Sequence, residues 1–291
     1  MRFSIKGVAI YYNIDCKRIM SSMPPITFNA IGYLKSCFVE KNGSPRQPSV
    51  CRQSRAQLAI ESNFTNPHHS LMSLQQFSHV WLIFLFHMNE NTHVRAKIKP
   101  PRLDGEKIGV FASRSPHRPN PIGLTLAKLD KVDGNIIHLS GIDIVDGTPI
   151  LDIKPYIPDY DNPPADQDIQ LASWLTLPPV KPLTVQFTSQ AEDDLQQFFP
   201  SENNTSHSKY QLQLLKDSDE ARSVIHDVVA SDPRSTYRRN KCTDEVYHFT
   251  VDKLNISCKF ENEVAIITQI VPVDDIQHLR DKFMKNAGSH Q

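Results

Sequence analysis

Short stretches of alternating hydrophobic and polar residues dominate the first half of the chain. Ala56 to Ile60 reads Ala-Gln-Leu-Ala-Ile, the period-two pattern of a half-buried strand. The run from His79 to His87 is apolar at almost every position, which predicts a strand buried on both faces. Further strands are predicted at Asn29 to Leu34, Lys107 to Ala112, Leu124 to Val132, Asn135 to Ser140 and Pro149 to Ile157. Strands of this length and spacing indicate a small barrel or sandwich.

Turn and helix patterns complete this region and begin the next. Asp133-Gly134 links two predicted strands and is typical of a tight hairpin, and Ser70 to Phe77 is predicted as a short helix with Ser70 as its N-cap. Helical patterns follow at Ala191 to Phe199 and Tyr210 to Ala230. Three strands then end the pattern, at Glu245 to Val251, Leu254 to Phe260 and Val264 to Val271.

These patterns predict a mainly β N-terminal domain and a smaller α+β C-terminal domain. Prolines concentrate between the two, which is typical of a linker. The expected organisation is a disordered leader at 1–26, the β domain at 27–165, the linker at 166–184 and the α+β domain at 185–291. Within the last domain, Pro200 to Lys209 reads as an added polar loop.

Charge and cysteine content limit the classes of protein that remain. Lys+Arg and Asp+Glu both number 32, so the net charge is zero and any contact with RNA must come from local basic patches. The five cysteines are widely spaced without a C-x-x-C pair, which favours free thiols in a reducing compartment such as the cytoplasm. The strongest apolar run is far below the about 18 residues of a membrane span. Adjacent His68 and His69 would point opposite ways, so no metal site is predicted either.

Three loops carry residues that scaffolding alone does not require. Arg114-Ser-Pro-His-Arg-Pro-Asn-Pro-Ile-Gly123 is stiffened by its prolines, which preorganises its polar side chains for binding. Lys41-Asn-Gly-Ser-Pro-Arg-Gln-Pro48 holds Arg46 and Gln47 at its centre. Asp143 to Asp152 forms a strand-turn-strand corner where Gly147 allows the close approach of a ligand. Taken alone, the second loop is better interpreted as a solvated surface loop, and the arginines of the first could simply bond buried carbonyls.

Together these segments resemble the TrmO family of tRNA methyltransferases, also called TsaA-like, over about residues 27–165. The matching stretches, in family order, are Ala30-Ile-Gly-Tyr33, Gly43-Ser-Pro-Arg-Gln-Pro48, Phe77-Ser-His-Val-Trp81, Arg114 to Gly123, Gly141-Ile-Asp143, Asp146-Gly-Thr-Pro149 and Asp152-Ile-Lys-Pro-Tyr156. The resemblance implies a β-barrel that binds S-adenosylmethionine and is unlike the doubly wound methyltransferases. The absence of a G-x-G-x-x-G glycine loop from the sequence agrees with this.

The resemblance also implies a homodimer with the cofactor near the subunit interface, and it assigns site residues. By this resemblance the cofactor contacts fall on Pro45, Arg46, Gln47, His87, Met88, Arg114, Leu124, Ile144, Val145, Asp146 and Gly147. Asp232-Pro-Arg-Ser-Thr-Tyr237 matches the family's D-P-R-x-x-Y motif, so Asp232, Arg234 and Tyr237 are the candidate catalytic residues. Basic side chains that could meet RNA phosphates are Arg118, Arg238, Arg239 and Lys241.

The implied reaction methylates N6 of threonylcarbamoyladenosine, immediately 3′ of the anticodon in tRNA. Asp232 could polarise the N6–H, with a backbone carbonyl as the alternative acceptor, and an arginine would suit the threonyl carboxylate. Two other functions stay open: a non-catalytic barrel that binds RNA or senses S-adenosylmethionine, and a methyltransferase that acts on a small molecule or a protein.

Overall fold

The structure is a computed structural model, and it describes residues 27–61, 65–89, 95–100, 103, 105–176, 181–199, 212–235, 238–239 and 246–273. The predicted leader at 1–26, the predicted loop at Pro200 to Lys209 and the residues from 274 onward lie outside these ranges. Tyr237 and Lys241 also lie outside them.

Six antiparallel strands of the first region close into a barrel. The strands of this region are β1 (Gly32–Ser36), β2 (Arg55–Ala59), β3 (His79–Leu85), β4 (Lys97–Ile98), β5 (Ile108–Gly109), β6 (Ile122–Asp133), β7 (Ile136–Ser140) and β8 (Thr148–Pro155). The barrel runs in the order β1-β2-β7-β6-β3-β8 and closes where β8 pairs with β1, whereas β4 and β5 form a separate two-stranded sheet. The predicted small barrel is therefore confirmed.

Side chains alternate between the barrel interior and its outer surface along each strand. In β3, Val80, Leu82 and Phe84 are buried, whereas the intervening side chains, Trp81 and Ile83 among them, are only half-buried. The prediction that this strand is buried on both faces is therefore wrong for the single chain, because its apolar outer face stays partly exposed.

Short helices connect the strands of this region. They are α1 (Pro67–Ser70), α2 (Pro158–Asp161) and α3 (Ser173–Thr176), with 3₁₀ turns at Pro48–Val50, Leu74–Gln76 and Val110–Ala112. The helix predicted over Ser70 to Phe77 is wrong. The chain instead forms α1 behind the N-cap Asn66, whose side chain accepts from the backbone N–H of His69, and a separate 3₁₀ turn follows.

The second region is a four-stranded sheet with two helices. Its strands are β9 (Thr184–Phe187), β10 (Tyr247–Val251), β11 (Leu254–Glu261) and β12 (Val264–Pro272), in the order β10-β11-β12-β9 with β9 parallel to β12. The helices are α4 (Ser189–Gln196) and α5 (Ser218–Ala230). Residues Ala221, Val224, Ile225 and Val228 of α5 are buried at helical spacing, which seats the helix on the core.

Local propensity misjudged two boundaries and located one turn correctly. The strand predicted at Lys107 to Ala112 ends at Gly109 and continues as a 3₁₀ turn. The predicted linker at 166–184 contains α3 and the first residue of β9, a strand whose parallel pairing with β12 is a long-range contact. The hairpin at Asp133-Gly134 is confirmed, because Asp133 pairs with Ile136 and Gly134 takes a φ of +61°.

The two regions share one hydrophobic core. Phe38 pairs with Val251 across the boundary, and the N–H of Asp252 donates to the carbonyl of Cys37 at 2.7 Å. Cys37, Phe38 and Val251 are fully buried within a single cluster that extends through both regions. An ion-pair triad reinforces the boundary, because Arg55 on β2 pairs with Asp130 on β6 at 2.8 Å and with Glu220 on α5.

Candidate functional site

An open cavity of about 160 Å³ lies at one end of the barrel, where β3 ends and β8 begins. Its walls are largely apolar, with Phe84 and Phe86 in edge-to-face contact at 4.9 Å between ring centroids. The residues that line it are Lys41, Phe84, Phe86, His87, Met88, Asn89, Pro116, Asp143, Ile144, Val145 and Thr148. A concave apolar site with a few polar groups is the usual form of a small-molecule pocket.

Asp143 is the acidic side chain among the described residues that line the cavity. Its Oδ1 accepts a hydrogen bond from the hydroxyl of Thr125, a buried residue of β6, at 2.7 Å. Burial raises the pKa of the Asp143 carboxyl, while the Thr125 hydroxyl and the nearby guanidinium of Arg114 oppose that shift. The cavity therefore holds a carboxylate that a bound cation would stabilise in its charged form.

His87 and Thr148 form a polar pair at the rim of the cavity. The hydroxyl of Thr148 donates to the carbonyl of Val145 at 2.6 Å, and the same oxygen lies 3.3 Å from Nδ1 of His87. Burial and the positive charge of Lys41 lower the pKa of His87, against the attraction of Asp146. The imidazole is therefore neutral at neutral pH.

The corner from Ile144 to Gly147 presents both backbone and side chains to the cavity. The side chain of Asp146 contacts the end of β1, where its Oδ1 accepts a hydrogen bond from the backbone N–H of Ser36 at 2.8 Å. Gly147 takes a φ of +72°, and an added Cβ there would meet no atom within 4 Å. The corner is therefore fixed by its own hydrogen bonds while open space remains in front of the glycine.

The loop from Lys41 to Gln47 joins the cavity to the second region. Nζ of Lys41 donates to the carbonyl of Met88 in the cavity wall, and Nη2 of Arg46 donates to the carbonyl of Arg234 at 3.1 Å. Gly43 takes a φ of +81° against Phe249, and a Cβ there would lie 2.5 Å from that ring. Because Lys41 and Arg46 are five residues apart, their Cα atoms are separated by at most about 18 Å.

An arginine cluster surrounds Asp232 at the far end of this loop. Asp232 holds Arg234 in a two-pronged ion pair, with Nε–Oδ1 at 2.8 Å and Nη2–Oδ2 at 3.0 Å. The Arg234 guanidinium also stacks 3.8 Å above the centroid of the Phe260 ring. Nε of Arg239 lies 4.0 Å from Oδ2 of Asp232. Loss of solvent and repulsion from Arg239 lower the pKa of Arg46.

The cluster is strongly positive and partly built on aromatic rings. Arg238 lies 5.5 Å from the centroid of the Tyr247 ring. Its members are Arg46, Arg234, Arg238 and Arg239, and among the described residues the carboxylate in contact with them is that of Asp232, which is already paired. Such an arrangement favours an anion as ligand.

The structure places some of the predicted site residues around the cavity and others around Asp232. His87, Met88, Ile144 and Val145 line the cavity. Arg114 is close enough to Asp143 to oppose the rise in the pKa of its carboxyl, and Arg46 contacts the arginine cluster. Leu124 lies on the outer face of β6, 46% exposed. Arg118 donates to the carbonyl of Ser113 at 3.3 Å, within its own loop.

Several cavity residues were not predicted. They are Lys41, Phe84, Phe86, Asn89, Pro116, Asp143 and Thr148. Asp143 and Thr148 belong to the corner already singled out by its composition, so a reading of the whole corner would have included them. Phe84 and Phe86 carry no such signal, because aromatic residues in or next to an apolar strand are usually ordinary core residues.

Two family models match the chain, and together they span both regions. The tRNA-methyltransferase O N-terminal domain matches residues 33–162, and the TrmO C-terminal domain matches residues 180–273. A curated relative, the tRNA (adenine(37)-N6)-methyltransferase of Mus musculus, is 33% identical over 82% of this chain and 88% of its own length. The chain belongs to the TrmO family.

Other relatives agree with this membership of the TrmO family. The putative S-adenosylmethionine-dependent methyltransferase RcsF of Pseudomonas aeruginosa is 48% identical over 44% of this chain and 55% of its own length. A solved structure, TrmO from Pseudomonas aeruginosa, superposes with a TM-score of 0.63 at 27% identity and covers 85% of this chain and 99% of that protein.

Two features are absent from the described ranges. Their helices include none that is long and apolar enough to cross a membrane. In the same ranges, His, Cys, Asp and Glu side chains do not gather in groups of three or more that could hold a metal ion. The three described cysteines, Cys37, Cys51 and Cys258, are buried free thiols.

Proposed function

We propose that this TrmO family member methylates N6 of the adenosine immediately 3′ of the anticodon in tRNA, with S-adenosylmethionine as methyl donor. The observation that carries the proposal is the loop Lys41–Gln47, which contacts a small-molecule cavity through Lys41 and an arginine cluster through Arg46, two residues whose Cα atoms are at most about 18 Å apart. A methyltransferase needs both parts close together, because cofactor and substrate base must meet. Relatives named as tRNA (adenine(37)-N6)-methyltransferases support the same reaction.

The composition of the cavity fits S-adenosylmethionine, a cation with a flat adenine ring. Phe84, Phe86 and Ile144 offer apolar surface to the ring and the methionyl chain, and Asp143 offers a negative charge to a cationic group. When bound, the cofactor supplies an electrophilic methyl group on a positively charged sulfur. Side chains that would hold it include His87 and Met88, which line the cavity, and Arg114, which lies near Asp143.

The arginine cluster is the proposed site for the RNA and for a carboxylate on the target base. A guanidinium binds phosphate and carboxylate alike through two parallel hydrogen bonds. Arg46 and Arg239 repel each other and are not neutralised by the paired Asp232, so an anion between them would relieve that repulsion. This suits the threonyl carboxylate of threonylcarbamoyladenosine as well as the backbone of the anticodon loop.

Asp232 is proposed as a positioning residue within this cluster. Both of its carboxylate oxygens accept from Arg234, and its φ of +49° lies in the left-handed region that Asp and Asn tolerate. The carboxylate therefore fixes the Arg234 guanidinium on the Phe260 ring. Tyr237 and Lys241 lie outside the described residues; the proposal keeps Tyr237 as a catalytic residue and Lys241 as a contact to RNA phosphates.

A second copy of the chain is the proposed cover for the outer face of β3 and β6. The cross-strand pairs Trp81–Leu126, Ile83–Leu124 and Leu85–Ile122 place six apolar side chains on that face. Isolated apolar patches of this kind mark interfaces. In a homodimer, Leu124 would reach the partner's cofactor, which explains its distance from the cavity of its own chain. Leu124→Glu should give monomers by light scattering, and Lys128→Glu, farther along the same strand, should leave the dimer intact.

Transfer of a labelled methyl group to tRNA tests the proposed function. Purified full-length protein should label tRNA from cells that lack this methyltransferase, and mass spectrometry of the nucleosides should find the methyl group on threonylcarbamoyladenosine. Binding of S-adenosylmethionine without transfer would identify a non-catalytic cofactor sensor instead. Labelling of protein or small molecules in a lysate, with tRNA unlabelled, would identify a different methyltransferase.

The proposed compartment is the cytoplasm. Buried free thiols are consistent with this reducing compartment.

A further inference from the structure

The hydroxyl of Thr148 determines which nitrogen of His87 carries the proton. Thr148 is 3% exposed, and its single hydroxyl hydrogen is directed to the carbonyl of Val145 at 2.6 Å. Towards Nδ1 of His87, 3.3 Å away, the same oxygen can only accept. Nδ1 must therefore carry the ring hydrogen, which leaves Nε2 with a free lone pair.

The surroundings keep this imidazole neutral and accessible. The charged groups that face it are Lys41, Asp146 and Asp143, and the partial loss of solvent on its cavity side, together with Lys41, lowers its pKa. His87 is exposed at the rim of the cavity, so solvent can take up a proton that the ring receives. A neutral, oriented imidazole next to the proposed cofactor cavity has the properties of a general base.

We propose that Nε2 of His87 accepts the proton that N6 of the substrate adenosine loses during methylation. This inference rests on the proposed function and adds a catalytic residue to it. The reaction forms a bond between the methyl carbon and N6 and breaks the carbon–sulfur bond, whose electron pair stays on sulfur. The N6–H bond breaks with its electrons remaining on N6, and the proton moves to Nε2 and from there to solvent.

Charge balance in the cavity favours this assignment. Before transfer the cavity holds the positive charge of the cofactor, and after transfer that charge is gone. Protonation of His87 introduces a positive charge as the other disappears, so the total charge beside Asp143 and Lys41 does not change. Because electrostatic interactions are strong in a partly desolvated site, a step that conserves the local charge avoids a large reorganisation of its surroundings.

The low basicity of His87 does not count against the role. Methylated N6 carries a positive charge until its proton leaves, which makes that proton strongly acidic. A weak but neutral base is sufficient for such a proton, and it remains unprotonated over a wider pH range. Asp232 is a poorer candidate, because its two oxygens already accept from Arg234.

The first test observes the ring itself, without cofactor or tRNA. Nitrogen-15 NMR of the full-length protein labelled at histidine rings, with His87 assigned from the spectrum of His87→Gln, should find the hydrogen on Nδ1. The ring should titrate below the ordinary imidazole pKa of about 6.5. Thr148→Val should shift the neutral ring towards a mixture of tautomers. Thr148→Ser, which keeps the hydroxyl, should give the same spectrum as the parent. A neutral ring protonated on Nε2 in the parent protein would overturn the inference.

The second test measures single-turnover methylation of tRNA at saturating S-adenosylmethionine. His87→Gln should lower the rate by about 100-fold or more, the usual contribution of a general base. Calorimetry should find its affinity for the cofactor within about tenfold of the parent. Added imidazole should raise the rate of His87→Ala, and His226→Gln, at an exposed position of α5, should methylate at the parent rate. Thr148→Val, which keeps the ring in place, should lose on the order of tenfold, the net contribution of one hydrogen bond.

The pH dependence of the methylation rate tests whether His87 must be unprotonated for the reaction. The parent rate should rise with pH through the pKa of His87, which lies below its ordinary value, and the Gln variant should lack this rise. Methylation by His87→Gln within about threefold of the parent, less than 1 kcal/mol, would refute the role of proton acceptor. Failure of the parent protein to methylate any tRNA would instead refute the proposed function, and the NMR result would still decide the state of the ring.

Discussion

The Asp232–Arg234 ion pair makes a prediction that separates a positioning role from a chemical one. In Asp232→Asn the amide keeps one oxygen for Arg234 and turns an NH2 group towards the other guanidinium donor. One charge-assisted hydrogen bond is lost, and such bonds contribute about 1.5–3 kcal/mol. We therefore expect the single-turnover rate to fall by about 10- to 150-fold, the equivalent of about 1.5–3 kcal/mol.

The backbone should tolerate this substitution. Asp232 has a φ of +49°, and Asn is favoured there as much as Asp. The variant should therefore remain folded with its S-adenosylmethionine affinity close to that of the parent. Removing a negative charge beside four arginines should also leave the non-specific affinity for RNA unchanged or higher. Loss of methylation would then come from the orientation of Arg234 rather than from weaker attraction of the tRNA.

A double-mutant cycle completes the test. Arg234→Met keeps an apolar chain on the Phe260 ring but removes the guanidinium. If Asp232 acts only through Arg234, the double variant should methylate no more slowly than Arg234→Met alone. The coupling energy should then equal the whole effect of Asp232→Asn. Additivity of the two losses within about 0.5 kcal/mol would refute the reasoning and return Asp232 to the role of direct proton acceptor.

Three further predictions concern the barrel boundary, the barrel interior and the RNA surface. Arg55→Met should lower the free energy of unfolding by about 3 kcal/mol in urea titrations, because it leaves the mostly buried carboxylate of Glu220 without its ion-pair partner. A loss below about 1 kcal/mol would contradict this. Gly123→Ala should cost about 1–3 kcal/mol, since its Cβ would lie 2.2 Å from the Phe84 ring, whereas Gly109→Ala, with no atom within 4 Å, should unfold like the parent. Arg239→Ala should reduce the salt dependence of tRNA binding by about one unit of slope, and an unchanged slope would remove this residue from the RNA surface.

Local sequence patterns were sufficient where a residue's role depends on its neighbours along the chain. Alternation identified β2, β6, β7 and β8, and Asp133-Gly134 identified the hairpin, because both depend on side-chain period and backbone conformation alone. The helix predicted over Ser70 to Phe77 was wrong because a better local signal was overlooked. Asn66 caps the helix upstream of Ser70, and Pro67 follows it in the first helical turn.

Tertiary contacts decided what local patterns could not. The strand β9 forms in a proline-rich stretch because β12 offers a parallel partner more than 70 residues away, which no local propensity encodes. The apolar run in β3 is the clearest case: its composition correctly indicates two apolar faces, but only the barrel determines which face lies inside.

The sequence by itself determined the chemistry that is available: the rigid arginine-proline loop, the corner at Gly147 and the D-P-R-x-x-Y motif, all recognisable because their residues are close together in the chain. Only the tertiary structure decided which of these residues meet. It brought Arg46 into contact with Arg234, paired Asp232 with Arg234, and placed Thr148 beside His87. These contacts join residues as much as 188 positions apart, and barrel closure and the shared core, rather than any local pattern, bring such residues together.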